Sequence, residues 1–127
     1  MSEKTLWTFH MLAGLVMILC LGIHLFLNGL DYILLKLGLI NYSDPTSWQA
    51  IIIKGKNILY TLNLIILVPL VAFHGLRGLR NILVEVIKNA NVNRIISYIL
   101  VVIGIFLTVF GWWVIIKTFA IATLSSI

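Results

Sequence analysis

The chain has 127 residues, of which 61% are hydrophobic and 10% charged, and its mean hydropathy is +1.12. A soluble domain of this length could not bury that much apolar surface, so the composition excludes an ordinary soluble globular protein and favours a membrane protein. The formal charge of +5 comes from few residues near the ends of apolar segments. This placement indicates contact with lipid headgroups and argues against a nucleic-acid partner.

Three apolar segments follow one another along the chain, at residues 6–37, 51–87 and 95–122. Each is longer than the roughly 20 residues that a helix needs to cross the hydrocarbon layer, and a helix satisfies its own backbone hydrogen bonds there. We therefore predict an all-α integral membrane protein with three transmembrane helices, folded as a single domain over residues 1–127. No small-residue cleavage site follows the first segment, so we expect that segment to be retained.

Two polar segments, residues 41–49 and 89–93, separate the predicted helices. In the first, Pro45 marks a turn and Ser47 is a suitable N-cap for the second helix. The second is a short, asparagine-rich turn, so the second and third helices should be antiparallel neighbours. Pro69 lies inside the second helix, where it should bend the helix and free backbone carbonyls.

The basic residues favour one orientation by a small margin. With the N-terminus inside the cell, five of the nine lysines and arginines lie on the cytoplasmic side, including the group around the second turn. The positive-inside rule therefore predicts a multi-pass protein of the cell (inner) membrane with a cytoplasmic N-terminus and an external C-terminus.

Histidines occur within the predicted helices, where an ionisable group is costly and is therefore a functional candidate. His10 and His24 lie close to four turns apart, which places both on one face of the first helix with about 21 Å between them along the axis. Each could instead serve as an interhelical hydrogen-bonding residue. His10, close to the membrane interface, is expected to be solvated.

A polar stripe begins at His74 in the second helix. The residues that follow at helical spacing on its face are Arg77, Gly78, Asn81 and Glu85. Such a stripe suits haem, because an imidazole binds the iron, a small residue admits the flat macrocycle and a guanidinium pairs with the propionates. Arg80 points off this stripe and could be an interface anchor.

The run from His74 to Arg80, His-x-x-x-Gly-Leu-Arg, with Glu85 further on, resembles the second helix of the cytochrome b anchor subunits of succinate dehydrogenase and fumarate reductase. Residues 9–14 resemble the His-Arg-x-Ser/Thr-Gly segment in the first helix of that family. Met11 stands where the family often has an arginine of the quinone site, so the resemblance does not define the quinone pocket.

The resemblance implies a haem-binding site. His74 would be the axial ligand of the haem b nearer the cytoplasmic subunits, with Gly78 beside the macrocycle and Arg77 and Arg80 facing the propionates. His24 would bind the iron of a second haem, as the first helix does in family members with two haems. A second membrane-anchor subunit would complete both ligand pairs.

The resemblance also implies a function in electron transfer. The chain would anchor an iron–sulfur subunit and a flavoprotein subunit to the membrane and pass their electrons from succinate to quinone, without oxidising succinate itself. Candidate quinone-side residues are His10, Arg77 and Trp48. Either anchor subunit of the complex is compatible with the sequence. Two alternatives stay open: a cofactor-free structural or assembly protein, and a haem subunit of another quinone-linked oxidoreductase.

Overall fold

The structure, a computed structural model, describes residues 2–40, 44 and 46–124. It contains four helices, α1 (Glu3–Lys36), α2 (Trp48–Gly55), α3 (Ile58–Val86) and α4 (Ala90–Leu124). All regular secondary structure in the described ranges is helical, and α1, α3 and α4 are each long and apolar enough to cross a membrane. The predicted all-α fold with three membrane-spanning helices is therefore confirmed.

Helix α3 lies at the centre of the bundle. It packs against α1 on one side and against α4 on another, whereas the backbones of α1 and α4 do not approach each other over the described residues. The outer faces of α1 and α4 carry many exposed large apolar side chains, such as Phe26, Ile105 and Phe106. These faces are suited to lipid or to a second membrane protein, since water would not solvate them.

The second predicted segment is two helices instead of one, so the prediction of a single helix over residues 51–87 was wrong. Ser47 caps the short α2, its hydroxyl accepting from the Ala50 N–H at 3.3 Å. The chain then turns at Lys56, and Asn57 caps α3 by accepting from the Leu59 N–H at 2.9 Å. Asparagine favours this capping position because its side chain replaces the hydrogen bonds missing at a helix start.

The connections between helices are short. The turn predicted at Pro45 lies outside the described residues, but the Asp44 carboxylate accepts from both the backbone N–H and the hydroxyl of Thr46 at 2.8 Å. These two bonds lower the pKa of Asp44. Only residues 87–89 separate α3 from α4, because Asn89 already caps α4. The predicted antiparallel contact between these two helices is confirmed.

Pro69 explains one contact between α3 and α4. A proline has no N–H, so the carbonyl four residues earlier, that of Ile65, loses its helical partner. The indole N–H of Trp112 on α4 donates to this carbonyl at 2.9 Å. The freed carbonyl that the sequence predicts is thus satisfied by the neighbouring helix, as the absence of water in a membrane requires.

Two glycines bring α4 close to α3. A Cβ atom at Gly104 would lie 3.0 Å from Leu76 Cδ1, and one at Gly111 would lie 2.7 Å from Val68 Cγ1. Small residues at helix contacts allow backbones to approach in membranes, where packing drives association. Gly22 and Gly29 have no such neighbour within 4 Å, so close packing does not explain them.

Candidate functional site

The imidazole rings of His10 and His74 stack face to face between α1 and α3. Their centroids are 4.1 Å apart and their planes differ by 6°. His10 is only 8% exposed, so the expectation of a solvated interface histidine was wrong. The position is buried because α3 covers this face of α1, which the sequence of α1 alone does not reveal. Phe73 packs edge-on against His10, with centroids 6.4 Å apart.

A glycine on α1 makes room for the stacked rings. A Cβ atom at Gly14 would lie 2.7 Å from His74 Cε1, so the His74 ring fits against α1 only because that position has no side chain. On the other helix, the nearest atom to a Cβ at Gly78 is His10 Cε1, at 4.0 Å, which is an ordinary van der Waals contact. Gly78 therefore lies beside the His10 ring, but the stack does not require a glycine there.

A backbone carbonyl of α1 determines which ring nitrogen of His74 carries the proton. The Nδ1 atom lies 3.2 Å from the His10 carbonyl oxygen. A carbonyl can only accept a hydrogen bond, so Nδ1 carries the proton and, in the neutral ring, Nε2 carries the lone pair. Among the described residues Nε2 has no hydrogen-bond partner. A backbone acceptor on one ring nitrogen and a free lone pair on the other is the usual arrangement of a metal-binding histidine.

A polar cavity of about 530 Å³ opens next to His10 at the end of the bundle where α1 begins. Arg77 lines it and donates to the Glu3 carboxylate at 2.9 Å; its side chain is 14% exposed. The other residues that line the cavity are Lys4, Trp7, Thr8 and Asn81. The sequence predicted that Arg77 and Asn81 share a face with His74, and both lie on this side of α3. Glu85, the last member of the predicted stripe, is exposed to the surroundings.

Arg80 lies on a different side of α3 from His74. Its Nε donates to the Ser97 hydroxyl of α4 at 2.8 Å, whereas the His74 ring contacts α1. Arg80 therefore points away from the His74 ring, because six residues along a helix rotate a side chain by about 120° relative to the first. It lines the groove beside α4 together with Arg77.

A second polar cluster lies towards the other end of α1. The His24 ring packs against Tyr60 of α3, with centroids 5.8 Å apart, and its Nδ1 is buried with no hydrogen-bond partner in the described chain. His10 and His24 thus both face α3, as their spacing predicted. Near His24, hydrogen bonds join the helices, including one from Asn63 Nδ2 to the Cys20 carbonyl at 3.2 Å.

Sequence reasoning missed the ion pair beside His24. Lys54 of α2 lies 2.7 Å from the Asp31 carboxylate and donates to Asn28 Oδ1 at 2.8 Å. Asn28 in turn donates to the His24 carbonyl at 2.7 Å. The available signal was Asp31 itself, an acidic residue two turns after His24 on the same face, with a lysine at the start of the next apolar segment.

Trp48 does not join the other quinone-side candidates. It begins α2 and is 61% exposed. Because α2 follows the end of α1, Trp48 lies at the opposite end of the bundle from His10 and Arg77, which share the polar cavity. The structure brings two of the three predicted quinone-side residues together and leaves the third apart.

These features define the class of protein, an all-helical membrane protein with three helices able to span a bilayer and histidine side chains packed between them. No family model matches the chain, and neither the curated proteins nor the solved structures searched include a match.

Proposed function

We propose that the chain is a haem b-binding membrane-anchor subunit of a succinate:quinone oxidoreductase, shared with a second anchor chain and attached to iron–sulfur and flavoprotein subunits. Haem b would supply a one-electron carrier between the iron–sulfur subunit and quinone. The proposal includes the cell membrane as location and a cytoplasmic N-terminus. It rests on the sequence resemblance together with the surroundings of one residue, His74.

The observation that carries the proposal is the His74 hydrogen bond. Its Nδ1 faces the His10 carbonyl at 3.2 Å, which leaves Nε2 with the lone pair that iron requires. Arg77, one turn further along α3, would hold a propionate in place of the exposed Glu3 carboxylate that it binds in this structure. Arg80 donates through Nε to Ser97 of α4 and so lies on another side of α3 from the His74 ring.

The stacked rings argue against His10 as a second ligand to the iron that His74 would hold. Two axial histidines approach an iron from opposite faces of the macrocycle, which must lie between them. Rings stacked at 4.1 Å are in van der Waals contact and leave no space for a third flat group. His10 is therefore unsuited as the partner of His74 on one iron. A ligand from another chain fits the proposal of a second anchor subunit.

His24 is the residue that we propose for a second haem. Its buried Nδ1 has no partner among the described residues, and a buried polar atom normally has one. The helical distance from the level of His10 is about 21 Å, which suits two separate cofactors along one bundle. His10 and Arg77, at the polar cavity, are the residues that we propose to contact quinone.

The deciding experiment is a pyridine haemochrome assay and visible spectrum of the complex purified through this chain, with identification of its subunits. We expect b-type absorption that His74→Ala removes or halves. His24→Ala should lower the haem content from two haems per complex to one. Leu79→Ala, at a 43% exposed position five residues after His74 on α3, should leave the spectrum unchanged.

Each alternative predicts a different result. A colourless complex whose stability tolerates His74→Ala would identify a cofactor-free structural or assembly protein. One haem b per complex, unaffected by His24→Ala, would refute the second haem alone. Haem together with soluble subunits other than a flavoprotein and an iron–sulfur protein of the succinate-oxidising type would place the chain in another quinone-linked oxidoreductase.

A further inference from the structure

A long apolar groove runs between α3 and α4 on the side of α3 that carries Arg80. Its volume is about 680 Å³, and its lining includes residues without long side chains on both helices, Pro69 and Ala72 on α3, and Gly104 and Thr108 on α4, with Leu6 of α1 at one end. The small side chains explain the groove, because larger ones at these positions would fill the space between the helices.

The groove is apolar along its length and basic at one end. Arg80 and Ser97 lie at that end, and Trp112 lies at the other. Among the described residues that line the groove none is acidic. Arg77 also reaches the basic end, but its guanidinium is bonded to Glu3, whereas Arg80 uses only its Nε on Ser97 and keeps its terminal nitrogens for an anion.

The dimensions suit one hydrocarbon chain. From Ser97 to Trp112, α4 rises by about 22 Å. One leaflet contributes about 15 Å, half of the roughly 30 Å hydrocarbon layer, so an acyl chain of that leaflet fits lengthwise in the groove. The basic end then lies at headgroup depth, beside the exposed Arg94 one turn before Ser97.

We propose that the groove between α3 and α4 is a binding site for an anionic phospholipid, with its phosphate on Arg80 and one acyl chain along Ala72, Gly104 and Thr108. Charge selects the occupant: a guanidinium at the end of an apolar groove without a carboxylate favours a headgroup of net negative charge over a zwitterionic one, whose phosphate charge is offset by its own cation. The Ser97 hydroxyl, bonded to Arg80 at 2.8 Å, orients the guanidinium. This site is independent of haem at His74.

The test is native mass spectrometry of the purified chain with phosphatidylglycerol or phosphatidylcholine of identical acyl chains, added separately. We expect phosphatidylglycerol to bind more tightly by about fivefold, the effect of one arginine at a membrane surface. Arg80→Gln should remove that preference and Arg80→Lys should retain most of it. Arg94→Gln, at an exposed position that does not line the groove, is the matched charge control.

Two adjacent valines test the acyl part of the site. Val101 lines the groove and is 59% exposed, whereas Val102 is 66% exposed and lies outside it. Val101→Phe should narrow the groove and weaken the binding of both lipids, while Val102→Phe should not. Circular dichroism verifies that each variant is folded.

Three results would overturn the proposal. The first is an equal affinity for both lipids in the unchanged chain. The second is a phosphatidylglycerol preference that Arg80→Gln keeps or that Arg94→Gln abolishes to the same extent. The third is a bound quinone or haem that Val101→Phe releases while lipid binding stays unchanged, since this would assign the groove to a cofactor.

Discussion

At the scale of single residues, the position of His74 depends on the absence of a side chain opposite it. A Cβ atom at Gly14 would lie 2.7 Å from the His74 ring, and at Gly22, two turns further along α1, it would meet no atom within 4 Å. The same substitution at these two positions therefore separates a steric effect on His74 from the general effect of removing a glycine from a helix.

We expect Gly14→Ala to displace His74 and to cost about 1–3 kcal/mol, the usual cost of overpacking. Gly22→Ala should instead stabilise α1 by up to about 1 kcal/mol, because alanine is the better helix former. Unfolding of the chain in mixed micelles by sodium dodecyl sulfate, followed by circular dichroism, measures both. Equal stabilities for the two variants would show that the His74 ring does not occupy the space beside Gly14.

The hydrogen bond from Trp112 to the Ile65 carbonyl provides a second test at this scale. We expect Trp112→Phe to lower the free energy of unfolding by about 0.6–1.7 kcal/mol, the range for interhelical hydrogen bonds in membranes. Trp113→Phe is the matched control, because Trp113 is 56% exposed and donates no hydrogen bond in the described chain. If the carbonyl freed by Pro69 is satisfied elsewhere, the two variants will have the same stability.

At the scale of elements, α2 is attached to α1 through one ion pair. Lys54 lies 2.7 Å from the Asp31 carboxylate, and both side chains are mostly buried, at 14% and 17% exposure. The backbones of α1 and α2 do not approach each other in the described residues. The side chains therefore hold α2 against the end of α1, and a mostly buried pair of this kind is costly to break because the remaining charge loses its counter-charge away from water.

We expect Asp31→Asn to loosen α2 by about 1–3 kcal/mol, and hydrogen exchange of the α2 amides should accelerate accordingly. Lys56→Met, two residues after Lys54 at an exposed position, is the control and should leave exchange unchanged. Exchange in α2 that is insensitive to Asp31→Asn would mean that packing on α4 alone holds this helix.

At the scale of the whole molecule, three spans would place residues 2 and 124 on opposite sides of the membrane. Single cysteines at Ser2 and Leu124, in a Cys20→Ala background, report on this arrangement with a membrane-impermeant thiol reagent. We expect the cysteine at residue 2 to react only after permeabilisation and the one at residue 124 to react in intact cells. The reverse pattern would contradict the proposed cytoplasmic N-terminus but not the three spans. Reaction of both cysteines from one side of the membrane would contradict the three spans.

Much of the architecture could be predicted from the sequence, because the membrane imposes its constraints locally. An apolar stretch of sufficient length must be helical wherever it lies, so three spans could be predicted without any knowledge of packing. The cap at Ser47 and the carbonyl freed by Pro69 follow from the chemistry of those residues alone. The shared face of His10 and His24 follows from the helical repeat.

The tertiary structure decided how these helices face one another. The stack of His10 on His74, the ion pair of Asp31 with Lys54 and the bond of Arg80 to α4 all depend on the rotation and register of one helix against the next. The rotation and register of the helices result from small differences in packing, such as the absence of a side chain at Gly14. The sequence of a single segment does not reveal these differences. The sequence by itself therefore determined which residues enter the membrane, and packing between helices determined which of them meet.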